Sequence, residues 1–418
     1  MKKELKYLFL AGFMVFYLLN SCTPHLMETF RHFENATLII GNIFRLIALL
    51  SIGFIPLILL YDSEKSLRIN TTLVLPSTII SLFFIKSYFE ITKANAYDIT
   101  AYLLFNITQI ALSIYFIIKY RKNLLIKPED LTFFLAALVF LMPLNLFMNN
   151  EELINNKNFI YKNFGIFYFM FMVIFVLTSV ILTKFLQKRE NKEKILFFLS
   201  IVLVYHIFTR FSYVRLYDYQ NAKGILGALP LYICSFGIML LPFAIYSKNH
   251  FLQALSFLIN TPGAIIVLVN PTTGVVGIFH YDVVYFFFSH ILLFAVTIQL
   301  ATYLNGKPNK RDVIHASQFL LGYFATMTVL NIVAESLSNN YNPNFSFVAI
   351  SPLPVDMTIF GQFKVWKSTF TPVYILVLWL IHSALAFVAY LVYHYLMQLK
   401  NKSKPRKERK KMILNKAV

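Results

Sequence analysis

Cys234, His290, His206, Tyr232, Asn331 and Glu335 carry the groups in this chain that could do chemistry together. A thiol attacks an acyl carbonyl only as its thiolate. An imidazole can take the thiol proton, and a carboxylate or amide can orient the imidazole. That logic suits Cys234 as nucleophile, His290 or His206 as base, and Glu335 or Asn331 as the orienting group. In an expected helix over 226–247, Cys234 stands eight residues after Leu226, and in one over 281–304, His290 stands nine after Tyr281. At 1.5 Å per residue both lie roughly 12–14 Å below the same membrane edge. His206 falls in the outer part of the preceding span, and Asn331 and Glu335 lie one helical turn apart. A plainer reading stands beside each: a cysteine in an apolar helix packs as a small hydrophobe, a histidine joins two helices, and matched depth does not make two helices face one another.

The elements that must position these groups are helices in a bilayer. The chain has 418 residues, of which 58% are hydrophobic and 14% charged, with a mean hydropathy of +0.64. An ordinary soluble domain has about 25% charged residues, so a soluble globular protein is excluded, and so is disorder. A span takes about 20 apolar residues. Apolar runs predict spans at about 5–20, 37–61, 72–90, 99–118, 131–148, 165–187, 195–212, 226–247, 252–270, 281–304, 312–335 and 371–396. The net charge of +19 fits nucleic acid in a soluble chain, but here it tests orientation. With the N-terminus inside, 27 of the 38 Lys and Arg fall in cytoplasmic segments, 9 in external ones, and Arg45 and Lys86 within spans. That asymmetry predicts an all-α polytopic transmembrane helix bundle of about twelve spans with both termini cytoplasmic. The expected organisation is an N-terminal membrane region over 1–194, a second membrane region over 195–396 and a basic tail over 397–418.

Soluble-enzyme signatures are absent: there is no P-loop, GxGxxG, GxSxG or HExxH. Cys22 and Cys234 form no CxxC and no metal-ligand spacing, so neither a disulfide framework, a metal site nor a cofactor is expected. Arg45 and Lys86 are functional candidates by their depth, although Lys86 is close enough to a helix end to snorkel and Arg45 could be a packing pair with a helix-end acid. Cys22 follows a basic and then apolar start in Leu19-Asn20-Ser21-Cys22. This has the shape of an uncleaved first helix or of a lipidated cysteine after a signal segment. Pro230 and Pro242 bracket Cys234, and Pro262-Gly263 falls inside the next span; such prolines break or kink helices. The tail over 400–411 carries eight Lys or Arg, each worth about 1 kcal/mol at an anionic leaflet. Lys outnumbers Arg, and Asn, Ile and Phe are frequent, which fits a low-GC genome and a bacterial plasma membrane.

Leu229-Pro230-Leu231-Tyr232-Ile233-Cys234 is similar to the LPLHLC motif of the YwaF-like integral membrane proteins, the transmembrane protein 164 family. Tyr285-Phe286-Phe287-Phe288-Ser289-His290 resembles that family's FFxxH span, Asn270-Pro271 its intervening Pro, and Gly306-Lys307-Pro308 its short G-x-P loop. Asn331, Asn340-Tyr341 and Ser351-Pro352-Leu353-Pro354 follow its N…NY…P order. The resemblance covers about 195–396. It implies an acyltransferase that moves fatty acyl chains onto ether phospholipids, with Cys234 as the acyl-accepting thiol and His290 as the base. Tyr232 departs from the pattern, replacing a motif His, and Ala228 stands where a basic residue is common. A phenol, with an ordinary pKa of about 10, can donate a hydrogen bond but is a poor base.

The expectation is therefore a membrane-embedded lipid acyltransferase-like protein working through a Cys234 thioester. His206, Tyr232, Asn331 and Glu335 would be supporting groups, membrane phospholipids the partners, and nucleic acid not a partner. Two alternatives stay open: a small-molecule or lipid carrier with a site near the midplane, or a non-catalytic scaffold that docks other membrane proteins through residues 1–194.

Overall fold

The computed structural model of the chain describes residues 4–12, 36–87, 96–121, 124–141, 160–161, 165–217, 231–269, 276–277, 280–337 and 371–402. Its helices are α1 (residues 4–12), α2 (Ala36–Leu49), α3 (Ser51–Tyr61), α4 (Glu64–Ile69), α5 (Leu75–Phe83), α6 (Ala96–Tyr120), α7 (Pro128–Leu141) and α8 (Ile166–Gln187). Then follow α9 (Lys192–Tyr217), α10 (Ile233–Ser247), α11 (His250–Val269), α12 (Tyr281–Tyr303), α13 (Lys310–Leu337) and α14 (Thr371–Lys402). A π-turn over Asn70–Val74 joins α4 to α5. Strands β1 (Ile160–Tyr161) and β2 (Val276–Gly277) form one short antiparallel pair. Among the described residues, eight helices are long and apolar enough to cross a membrane. The protein is an all-α membrane bundle, because a helix satisfies its own backbone where lipid offers no partner. Its outer faces confirm the solvent: Val173, Val176 and Ile181 on α8, and Leu376, Leu380 and Val392 on α14, are exposed.

Helices α9, α10, α11 and α12 pack as a closed ring, each against the next and α12 back against α9. Outside the ring, α8 covers α12, and α13 and α14 cover α11. Phe171 stacks on Phe287 at 4.2 Å and Phe175 tilts onto Phe294 at 4.4 Å, which fixes α8 to α12. Helices α2 to α7 form an N-terminal group that reaches the ring through α3 and α7, both seated on α9.

Several expectations change. The helix expected from 72 begins instead at Glu64, because Ser63 caps it: its Oγ accepts from the Ser66 N–H at 3.4 Å. The span expected over 226–247 is helical only from Ile233, since Tyr232 is extended (φ −75°, ψ 146°); residues 218–230, with Pro230, lie outside the described residues. Helix α11 runs unbroken through Pro262, because a proline forfeits one bond to the carbonyl four residues back and lipid penalises further unravelling. Arg45 is buried with its guanidinium 5.8 Å from the Tyr102 ring centroid, a packing role, and Lys86 is exposed. Cys22, residues 338–370 of the expected external segment 336–370, and the residues beyond 402 lie outside the described residues.

Polar side chains lock two places. At the end of the ring away from Cys234, His250 bonds the Asn305 carbonyl at 2.6 Å through Nδ1 and Asp312 at 2.9 Å through Nε2. The Asn305 N–H donates to Gln253 at 2.8 Å, and the Gly306 N–H donates to the Leu300 carbonyl at 3.1 Å. A Cβ on Gly306 would stand 3.0 Å from the Leu300 carbonyl carbon, so this tight return needs glycine. In the N-terminal group, buried Arg68 grips buried Asp130 by two bonds, Nε to Oδ2 at 2.7 Å and a second nitrogen to Oδ1 at 2.8 Å. Those bonds tie α4 to α7.

Removing one partner of such a pair strands a buried charge. Asp130→Ala should cost about 3–5 kcal/mol, read as a thermal melt of the purified protein in detergent. Hydrogen bonding from Arg68, helped by the Lys127 N–H, holds the Asp130 carboxyl below the usual carboxylate range. A carboxyl depressed on folding stabilises above its unfolded value of about 4, and that stability is lost as pH falls through the folded value. The wild-type melt should therefore fall more than that of Asp130→Ala between about pH 5 and about pH 3; parallel curves would exclude the linkage.

Candidate functional site

Cys234 is the second residue of α10. The first intrahelical bond runs from the Phe236 N–H to the Tyr232 carbonyl at 2.8 Å, so the N–H groups of Ile233, Cys234 and Ser235 precede it with no carbonyl behind them. Tyr232 gives no side-chain cap to these groups. The start of the helix is held from outside: the Tyr323 hydroxyl of α13 donates to the Leu231 carbonyl at 2.6 Å, and the Phe236 ring meets the Tyr323 ring at 5.5 Å. The thiol thus sits at the partly positive end of a helix whose position is fixed by α13.

One seam between α10 and α11 sets the surroundings of the thiol. A Cβ built on Gly263 would lie 3.5 Å from Cys234 Sγ, so the thiol rests against a bare glycine. One turn on, Gly237 leaves a notch filled by the Asn260 amide; a Cβ there would stand 2.7 Å from Asn260 Cγ. Two turns further, Gln253 donates to the Ala244 carbonyl at 3.0 Å. The three contacts descend α10 as they climb α11, the signature of antiparallel helices in one register with small residues at the closest points. Asn260 is 1% exposed, and among the described residues neither atom of its amide has a hydrogen-bond partner.

Across the ring, His290 on α12 is half-buried, and its Nδ1 lies 2.7 Å from the Phe286 carbonyl. A carbonyl only accepts, so Nδ1 carries the proton and Nε2 keeps its lone pair. The His290 ring lies 4.7 Å from that of Phe286. Arg210, exposed near the end of α9, lies over the Tyr285 ring at 5.0 Å. It is within electrostatic reach of Tyr232, Tyr285 and His290, and Tyr285 is within reach of Cys234. Arg210 and Tyr285 therefore bridge α9, α10 and α12 at one end of the ring, where Cys234, Tyr232 and His290 also stand.

Of the other residues singled out in the sequence, His206 stands one turn before Arg210 on α9, and Asn331 and Glu335 belong to α13. His206 is fully buried with its ring 4.8 Å from that of Phe288. Asn331 is fully buried on α13, outside the ring, with its amide donating to the Met327 carbonyl at 2.8 Å. Glu335 belongs to α13, and its side chain is outside the described residues. Sequence reasoning missed Asn260, Gly237, Gly263, Arg210 and Tyr285. The run Asn260-Thr261-Pro262-Gly263 was the available signal, since four such residues in an apolar span must have partners or a purpose. A separate cleft of about 520 Å³, lined by Leu60, Tyr61, Glu193, Tyr246, Ser247 and Lys248, holds a Lys248–Glu193 ion pair at 2.7 Å.

A family model described as the TMEM164 family matches residues 160–390. The chain belongs to the TMEM164 family. The match begins ahead of the expected boundary at 195, taking in β1 and α8, and contains the whole ring, α8, α13 and α14 as far as residue 390. No curated protein and no solved structure gives a significant match. The TMEM164 region is where the multi-pass character and the candidate residues coincide.

The seam generates a test. An alanine in a helix interior is normally favourable over glycine by about 1 kcal/mol. Gly237→Ala should nevertheless lower the thermal stability by about 1–3 kcal/mol, because the new methyl must expel Asn260. Gly263→Ala should fold normally and slow maleimide alkylation of Cys234, measured in a Cys22→Ser background. Equal melting of Gly237→Ala and wild type would disprove the notch.

Proposed function

We propose that the protein is a membrane-embedded lipid acyltransferase that carries the acyl group as a thioester on Cys234. The single observation that supports this best is the partly buried thiol at the first turn of α10, on the same end of the ring as His290, Arg210 and Tyr285. In the first half-reaction the thiol gives its proton to His290 Nε2 and the sulfur attacks the ester carbonyl of a phospholipid. The carbon–sulfur bond forms, the carbon–oxygen bond breaks, and His290 returns the proton to the departing alkoxide. In the second half an acceptor hydroxyl gives its proton to His290 and attacks the thioester. The carbon–sulfur bond breaks and the thiol is restored. Phe286 supports this role for His290 by holding the proton on Nδ1. Arg210 would attract the phosphate of a lipid headgroup.

The same reading includes twelve spans, both termini cytoplasmic, in a bacterial plasma membrane. The 1–194 region serves as a docking half for other membrane proteins, beside the 195–396 membrane domain and a basic tail over 397–418 on the anionic leaflet. A tag fused after Val418 should be reached by protease or antibody only after the cells are permeabilised; labelling of intact cells would invert the topology.

Purified protein incubated with phospholipid bearing a tagged acyl chain should acquire a hydroxylamine-sensitive label on Cys234. Cys234→Ala should abolish it, and His290→Ala should slow it about 10²–10⁴-fold. Wild-type protein that takes no label from a panel of donors would overturn the mechanism in favour of a carrier or a scaffold.

A further inference from the structure

We infer that Asn260, together with the free N–H groups at the start of α10, forms the oxyanion site of Cys234. The inference rests on the thioester reading above. An acyl transfer through sulfur passes through a tetrahedral carbon whose oxygen becomes an anion. That anion needs donors placed in advance, out of contact with water. Two kinds are present beside the thiol. The N–H groups of Cys234 and Ser235 precede the first bond of α10, where the helix dipole favours negative charge. The Asn260 amide is the second. It is 1% exposed, has no partner among the described residues, and lies in the Gly237 notch on the face of α10 that also bears Cys234. Gly237 is three residues, about one helical turn, from Cys234, so the amide in its notch and the thiol stand on the same face of α10.

Among the described residues, no hydrogen bond accounts for this amide. A buried amide left without a bond costs about 1–3 kcal/mol, and its place could be filled by an apolar side chain of equal size. Gly237 takes that cost further, because bare backbone at this turn is what admits the amide to the α10 surface. A group that is costly at rest and gains its partner only when the carbonyl oxygen becomes negative stabilises the transition state over the ground state.

The test uses the full-length protein in detergent or vesicles, with the tagged phospholipid as donor. Asn260→Leu keeps the size and removes the amide; Asn260→Asp keeps the shape and removes the N–H donor. Both should slow labelling of Cys234 by about 10²–10³-fold through the maximal rate, with little change in the donor concentration that gives half of it. Asn260→Leu should at the same time melt no lower than wild type, a result a structural asparagine would not give. Maleimide alkylation of Cys234, in the Cys22→Ser background, should continue in both variants, which shows the thiol intact. Wild-type labelling with unchanged rates in both variants would overturn the oxyanion role and leave the thioester standing. A lower melt of Asn260→Leu with labelling lost only in proportion to folded protein would also overturn it, making Asn260 structural. No label on wild type would overturn both.

Discussion

The close approach of α10 and α11 is the constraint on which the rest of the site depends. Between helices in lipid there is no hydrophobic drive to associate, so packing at small residues and a few polar contacts must hold them. Gly263 receives the thiol, Gly237 receives an amide, and Ala244 offers its carbonyl to Gln253. Spreading this seam would expose Asn260, free Cys234 from Gly263 and open the ring of α9 to α12. The neighbours reinforce it: Thr261 meets Thr297 at 3.1 Å to hold α11 on α12, and Tyr323 holds the first turn of α10 from the other side.

The two ends of the ring are built on opposite principles. Away from Cys234, His250, Asn305, Gln253 and Asp312 form a network in which each polar group has a partner, and Gly306 allows the chain to return within bonding distance of Leu300. At the Cys234 end, three helix N–H groups precede the first bond and the Asn260 amide has no partner among the described residues. A fully bonded network in a low dielectric is rigid. A fixed far end allows the near end to keep its donors apart from one another, as electrostatic stabilisation of a developing charge requires. The Arg68–Asp130 pair does similar work for the N-terminal group, joining α4 to α7 where α7 meets α9.

The helical architecture was legible in the sequence because lipid turns backbone chemistry into a readable length of apolar residues. That Cys234 and His290 belong to separate apolar segments was legible for the same reason, but not the depth of the thiol: it is the second residue of α10, where the sequence put it eight residues into a helix. The start of α10 was not, since an apolar run does not reveal where an extended backbone gives way to a helix, and Tyr232 is as apolar as its neighbours on that measure. The α10–α11 seam was not legible either. Gly237 and Gly263 are ordinary glycines until the register that pairs them with Asn260 and Cys234 is known, and that register belongs to two helices, not to one. Asn331 drew attention as a buried amide in sequence, yet its bond to the Met327 carbonyl satisfies it locally. Asn260 has the same side chain without such a bond, a difference visible only in three dimensions.

Tyr232 is the departure from the family motif that bears most on chemistry, and its position limits what the departure removes. It stands at the helix N-cap with 41% of its surface exposed and gives no side-chain cap. The first-turn N–H groups, the Gly263 contact and the Asn260 notch are all made by other residues, so an exchange of His for Tyr leaves them in place. What it takes away is one imidazole near the thiol. In a thioester mechanism the proton would then pass to His290, whose Nδ1 is committed to Phe286 and whose Nε2 keeps its lone pair.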